Sequence, residues 1–579
     1  MQNMRYTNLG IAIYCSVSDC LKLAELDEAG FDSCFNQLHT PVRFDKVYLE
    51  IFRGKIRIER EKILLLKERF RQNGIRVSGG IATVVSGNAD FIQSVVPENS
   101  DFFTFCYSNS EDVELLQNVT RSAAELFDEL ILDDFYFTNC RCNACITAKG
   151  ERGWPEFRLE QMRRVSEEVL LPAAKQVNPD LQIIIKYPNW YDDYQNTGYH
   201  LAAESALFDR VYAGTETRNT CYTQQTLQRY SGYFLMRYLE NVKPGKNGGG
   251  WFDTLDCLYN LGSYAEQAYL TLFAKAREIT LFCWGLLLKD GIFAHIAGYV
   301  FDKVDALYPQ LGNPIGIACY KPFNSSGENY LHGYLGMLGI PLEPFPEFTK
   351  HRPMTLLTES AKEDPEIIVK IQNQLIHGYN VTITSGLLKA LQDRGLNAIT
   401  GIRCADRKVS VKKFAYPMLE CSFGNYYDAA KPINIPVIIS ATNDCTQLIM
   451  AFSESQVCPV LLRVRYGSAS LFILTVPDDF SDLFHLPAPV LSFIRSIMMN
   501  GFEVQLDAPA NVGLFLYDNR TLIVESFLSC NSTVTLRLQG ADRRLVEVNN
   551  GCEISGQSGQ GTTSFSVSLA PASYRVFRY

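Results

Sequence analysis

At 579 residues the chain is too long for one ordinary core and calls for two to four domains. With 47% hydrophobic and 20% charged residues it reads as water-soluble, and no apolar run of about 18 residues suggests a membrane span. A formal net charge of -9 without a long Lys/Arg block speaks against a nucleic-acid or anionic-membrane partner and leaves neutral or mildly polar ligands.

The N-terminus, MQNMRYTNLGIAIYC, has no basic region followed by an apolar segment and a small-residue cleavage site, so no secretory signal is expected. Seventeen cysteines, an odd number, occur in apolar contexts such as Cys15, Cys34, Cys283 and Cys319, as reduced thiols do. Both features predict a cytoplasmic protein.

Over the first 300 or so residues short apolar runs alternate with amphipathic stretches, the pattern of βα units. The expected strands are 9–14, 33–37, 77–81, 129–136, 183–187, 210–213, 234–239 and 279–284. Eight such runs predict an α/β chain opening with a (β/α)₈ TIM barrel over 1–310, with its chemistry at the C-terminal strand ends. Residues 311–501 read as a small open α/β domain, in which 397–444 is hard to place. From 502 to 579, short alternating strands such as VGLFLYD and STVTLRLQG predict a C-terminal β-sandwich.

Asp133 and Asp134 end the fourth run, where strand geometry points at most one of them along the barrel axis. Two adjacent carboxylates at a catalytic face suit proton transfer or nucleophilic attack; a helix cap or a lysine partner is the plainer alternative. Shortly after, Cys140, Cys142 and Cys145 form C-x-C-x-x-C, which lets three thiolates converge on one ion. Cys106, in FCYSNS on the preceding loop, is the natural fourth ligand of a tetrahedral zinc. Four thiolates leave no open position, so that zinc would be structural.

Asn189 and Trp190 lie in YPNWYDDY after the fifth run, and Trp251 and Trp284 follow downstream. Such rings can stack on pyranose C–H groups, although core packing explains Trp284 equally well. Glu216, in AGTETRN, ends the sixth run, with Arg218 two residues on. Glu240 follows the seventh, YFLMRYL, ahead of the glycine-rich NVKPGKNGGGW. A carboxylate on strand seven facing one on strand four, about 5 to 5.5 Å away, is what retaining sugar hydrolysis needs. No G-x-G-x-x-G follows a strand, no G-x-S-x-G is present and the histidines lack metal-ligand spacing, so no catalytic cofactor is expected.

FCYSNS together with C-x-C-x-x-C resembles the cysteine site of glycoside hydrolase family 42, the barrel β-galactosidases. That family has a nucleophilic Glu at the end of strand seven, and MRYLENVKPGKNGGGW looks like a stretched version of its context, which implies Glu240 as nucleophile. AREITLFCWG and KERFRQNGIRVSGGIATVV are similar to its eighth strand and third βα unit. The resemblance also implies a flavodoxin-like trimerisation domain before the small β-domain, and hence a homo-oligomer, a homotrimer by analogy. One position departs: where the family ends strand four in Asp-Asn-Glu-Tyr, with Glu as acid/base, Phe135 stands here. A divergent or separate family is therefore expected.

The expected activity is that of a retaining glycoside hydrolase, exo-acting on small oligosaccharides or glycosides. Glu240 would attack the anomeric carbon and Asp134 would protonate the leaving oxygen. Asp133, Asn189, Trp190, Glu216, Arg218, Trp251 and Trp284 would bind sugar or orient the acids. Two alternatives stay open: an Asp-nucleophile glycosidase on α-linkages, with Asp134 attacking and Glu216 as acid/base, and a non-catalytic carbohydrate-binding relative.

Overall fold

The computed structural model describes residues 5–54, 56–85, 103–223, 227–416, 425–440, 444–559 and 561–579. They fall into two units, Met1–Pro309 and Gln310–Tyr579. In the first, eight parallel strands close into a barrel: β1 (Gly10–Cys15), β2 (Lys46–Arg53), β3 (Arg76–Ile81), β4 (Glu129–Leu132), β5 (Gln182–Tyr187), β6 (Arg210–Gly214), β7 (Asn247–Asp253) and β8 (Glu278–Phe282). Closure is made by β8 pairing back onto β1, from Gly10 against Glu278 to Tyr14 against Phe282.

Six expected strands match barrel strands; two do not, and each error has a physical cause. Residues 33–37 lie inside the helix Glu28–Val42, which Asp27 caps by accepting the Gly30 N–H. Residues 234–239 lie inside the helix Tyr230–Val242, whose residues Tyr230 to Leu239 are all buried, so that the short apolar run within it reads equally as a buried strand. The real seventh strand is NGGGWFD. A Cβ on Gly249 would lie 2.1 Å from the Glu278 carbonyl oxygen, and one on Gly250 2.3 Å from Thr271 Cγ2. These glycines serve close packing inside a strand rather than a loop.

The lumen is filled by Ala12, Tyr14, Tyr48, Ile131, Ile184, Tyr212 and Trp251, with Phe282 against them. At the N-terminal end Lys46 bonds Glu129 at 2.6 Å and Glu278 at 3.1 Å, so the barrel floor is an ion-paired plug. The opposite end carries the long loops.

The second unit holds a nine-stranded sheet built from β9 (Ile317–Tyr320), β10 (Leu342–Phe345), β11 (Met354–Leu357), β12 (Asn380–Thr384), β13 (Arg403–Ala415), β14 (Tyr427–Ile439), β15 (Cys445–Phe452), β16 (Val457–Tyr466) and β17 (Ala469–Leu474). Its parallel part runs β10-β9-β11-β12-β17, the doubly wound order of flavodoxin-like folds. Antiparallel β16, β15, β13 and β14 extend it. Within 397–444, Arg403–Ala415 and Tyr427–Ile439 form a long antiparallel pair, β13 with β14. Residues after 503 form a four-stranded antiparallel sheet and five strands of a six-stranded one, whose sixth is Pro314–Ile315, paired with Tyr517 and Leu516. Among the described residues no helix is long and apolar enough to cross a membrane.

Candidate active site

The C-terminal end of the barrel collects carboxylates from β2, β4, β6 and β7, each answered by a cation. On β2, Arg53 Nε donates to both oxygens of Glu50, at 3.0 and 2.9 Å, while its Nη2 pairs with Asp133 Oδ2. Glu50 also accepts from Tyr14 Oη at 2.6 Å and from the Val17 N–H at 2.7 Å. Burial pushes the Glu50 carboxyl above the usual carboxylate range, with Arg53 opposing. Asp133 Oδ1 accepts the Asp134 N–H at 2.8 Å. Its burial, and then the adjacent Asp134 charge, push Asp133 up to about 6.

Lys186, on β5, stands at the centre. Its Nζ lies 2.5 Å from Asp134 Oδ2, 3.1 Å from Glu216 Oε1 and 4.0 Å from Asp133 Oδ1. Burial alone would strip its proton; Asp134, Glu216 and Asp133 outweigh that and hold it well above the usual lysine range. The ammonium also sits 4.6 Å from the centre of the Trp251 ring, which forms the floor beneath it. Asp134 is the more accessible of the two bonded carboxylates, with 11% of its side chain exposed against 6% for Glu216. Glu216 Oε2 is buried and has no hydrogen-bond partner among the described residues. Glu216 fits only because Gly214 ends β6: a Cβ there would come 2.7 Å from that oxygen.

Arg218, just after β6, grips Asp253 at the end of β7 through Nε at 3.0 Å and Nη2 at 2.7 Å. Burial opposes the charge on Arg218, but the Asp253 carboxylate holds it above the ordinary range. Asn189 donates to the Glu216 carbonyl at 2.8 Å and thereby ties the loops after β5 and β6. Trp190 packs edge-on to Phe137, at 6.1 Å, and its buried Nε1 has no partner among the described residues. Asp133, Asp134, Asn189, Trp190, Glu216, Arg218 and Trp251 therefore belong to one end of the barrel.

Two expected site residues lie elsewhere. Glu240 is in the helix Tyr230–Val242, where it accepts the Gly245 N–H at 2.9 Å and approaches Arg277 at 3.4 Å. Those partners precede β7 and β8, so Glu240 belongs to the N-terminal end of the barrel, away from Asp134. Trp284 is buried with its ring edge-to-face on Phe44 and Phe70. Phe135 lies beside the Arg53 guanidinium, 5.5 Å from ring centre to Cζ. Glu50, Arg53, Lys186 and Asp253 join the site without being among the residues expected from the sequence. Their signal was a charge within or ending a buried strand, as in VYLEIFR, IIIKY and GGGWFD, which a barrel lumen must neutralise.

Next to this end, the Sγ atoms of Cys106, Cys140, Cys142 and Cys145 all lie within 4.8 Å of one another. Cys106 Sγ is 3.5 Å from both Cys142 Sγ and Cys145 Sγ. Tetrahedral zinc–thiolate geometry separates neighbouring sulfurs by roughly 3.8 Å, so the four could hold a metal ion. Asp112 steadies the first ligand by accepting the Cys106 N–H at 2.8 Å, and Trp154 and Phe157 pack beside the cluster.

Comparison with known proteins assigns this barrel. Residues 1–304 match the model described as probable glycosyl hydrolase, catalytic domain. The chain belongs to this family. The hydrolase's residues 503–579 match the corresponding C-terminal domain, and 312–479 match the second domain of the uncharacterized protein SSO3021. SSO3021 itself, from Saccharolobus solfataricus, is 24% identical over 487 residues, or 78% of each chain. Among solved structures, the β-galactosidase from Rahnella sp. R3 superposes with a TM-score of 0.69 at 14% identity, covering 99% of this chain and 98% of its own. The α-L-fucosidase isoenzyme 2 from Paenibacillus thiaminolyticus gives 0.63 at 12% identity, covering 99% and 100%. The resemblance of this glycosyl hydrolase to the barrel β-galactosidases is one of fold, and it extends over the whole chain.

Proposed function

We propose that the chain is a retaining glycosidase, exo-acting on small oligosaccharides or glycosides, in which Asp134 is the nucleophile and Glu216 the acid/base. The observation that carries this reading is the shared ammonium. Asp134 Oδ2 and Glu216 Oε1 lie 2.5 and 3.1 Å from Lys186 Nζ, so they are no farther apart than those two distances end to end. Retaining hydrolysis uses carboxyls about 5 to 5.5 Å apart. Asp134, the more accessible of the two, is the better placed to reach an anomeric carbon. Its oxygen attacks the anomeric carbon as the glycosidic bond breaks, and the departing oxygen takes a proton from Glu216. Glu216 then removes a proton from water, which attacks the same carbon and releases Asp134.

This is the α-linkage alternative raised from the sequence. The same fold supports a β-galactosidase and an α-L-fucosidase, so fold leaves the linkage to the site. Azide rescue reads both roles, starting from the aryl glycoside turned over fastest in a panel of α- and β-galactosides, fucosides, glucosides and arabinosides. Asp134→Gly with azide is expected to yield a glycosyl azide of inverted configuration, and Glu216→Gly one of retained configuration. The opposite pattern, or full activity in either variant without azide, rejects the assignment.

The remaining expectations stand on narrower support. Zinc suits four convergent sulfurs and would fasten the loop after β4 without taking part in the reaction. The cysteines among the described residues are all free thiols, which supports a reducing, cytoplasmic setting. The flavodoxin-like strand order of the second unit supports assembly as a homotrimer.

A further inference from the structure

The loops after β6 and β7 are bound into one rigid ledge. Besides the Arg218–Asp253 pair, Gln267 Oε1 accepts the Arg218 N–H at 3.0 Å, and its Nε2 donates to the Asp253 carbonyl at 3.1 Å. Buried Cys257 pins the second loop from beneath, its sulfur 3.6 Å from the same amide nitrogen. On this ledge two rings stand in solvent: Tyr222 is 68% and Tyr259 86% exposed, with centroids 5.9 Å apart and planes at 46°. Leu258 beside them is 58% exposed. A single exposed tyrosine needs no explanation, but a braced pair with an apolar neighbour on the loops that follow Glu216 and Asp253 is the chemistry that recognises a sugar's C–H face.

Resting on the reading of Glu216 as acid, we propose that Tyr222 and Tyr259 form a sugar-stacking platform on the leaving-group side of the bond that is cut. Tyr222 lies six residues beyond Glu216, and Tyr259 six beyond Asp253. Six residues span at most about 20 Å, the reach of a few sugar rings. The acid must face the leaving oxygen, and Tyr222 stands on the loop that follows the acid, with Tyr259 of the next loop against it. The substrate class is thus an oligosaccharide whose leaving group is itself a sugar.

The test compares parent enzyme with the Tyr222→Ala/Tyr259→Ala variant on the aryl glycoside found by the panel and on the two- to four-residue oligosaccharides ending in the same sugar. In the parent, kcat/KM is expected to rise with chain length. In the variant, the ratio of tetrasaccharide to aryl glycoside should fall on the order of tenfold, and Tyr222→Phe/Tyr259→Phe should recover most of it. An equal ratio in parent and variant overturns the platform even where azide rescue succeeds. A platform that persists while azide rescue fails would leave the rings in place and reject only the roles of Asp134 and Glu216. A change in sedimentation coefficient on removing the rings would assign the patch to a second copy of this chain and likewise overturn the proposal.

Discussion

Lys186 Nζ bonds Asp134 Oδ2 at 2.5 Å and Glu216 Oε1 at 3.1 Å, so one ammonium from β5 joins carboxylates from the two flanking strand ends. Removing it strands negative charge in a dry site. Lys186→Met is expected to cost about 3–5 kcal/mol of stability and to lower kcat/KM more steeply at acid than at neutral pH. Denaturant titration and a pH–rate profile check this; an unchanged profile would mean that the ammonium does not act on the reacting carboxylates.

Gly214 makes room for Glu216. With a Cβ coming 2.7 Å from Oε2, Gly214→Ala should displace the carboxylate while leaving the barrel folded. We expect kcat to drop roughly 10- to 100-fold, as misplacing a catalytic group by about an ångström does, with far-ultraviolet circular dichroism unaltered.

Glu240 provides the contrasting test. Its partners, Gly245 and Arg277, stand at the opposite end of the barrel, and its ion pair is partly solvated. Glu240→Gln should change kcat/KM by less than about twofold and stability by no more than about 1 kcal/mol. Abolished turnover would restore Glu240 to the mechanism.

Glu204 is buried, with one oxygen lacking a hydrogen-bond partner among the described residues and the other 3.4 Å from Tyr187 Oη. Burial pushes its carboxyl up to about 8, with Tyr187 opposing. The folded chain therefore holds this proton where the unfolded chain, titrating near pH 4, has released it. That contribution to stability is complete below the unfolded value and is lost as pH rises toward 8. Glu204→Gln should flatten the fall, gaining on the order of 1–3 kcal/mol at pH 8 relative to pH 4, as measured by chemical denaturation at the two pH values.

The cysteine cluster predicts a metal stoichiometry. Purified protein should carry about one zinc per chain by elemental analysis, Cys142→Ser should carry almost none, and its thermal midpoint should fall with the loss of metal-coupled folding energy.

What the sequence made legible follows from burial pattern. Strands such as IIIKY and ELIL announce themselves as short apolar runs, and the four cysteines by spacing alone. The helix Tyr230–Val242 did not, because a short apolar run buried within a helix reads equally as a buried strand. The glycine-rich seventh strand did not either, because its glycines record how closely Glu278, Tyr212 and Thr271 approach, and those are long-range contacts. Misplacing that one strand moved the expected nucleophile to the wrong end of the barrel. Glu216 and Asp134 were visible as strand-end acids, but their relation through Lys186 required the closed barrel.

The nine-stranded sheet ends on β10 at one side and β14 at the other, and both carry proline: Pro344 in the first, Pro432 and Pro436 in the second. A proline offers no N–H to an incoming chain, so neither margin presents an unbroken ladder to a stray strand. Continuous strand-on-strand recruitment, the route by which open sheets grow into fibrils, is therefore interrupted at both margins.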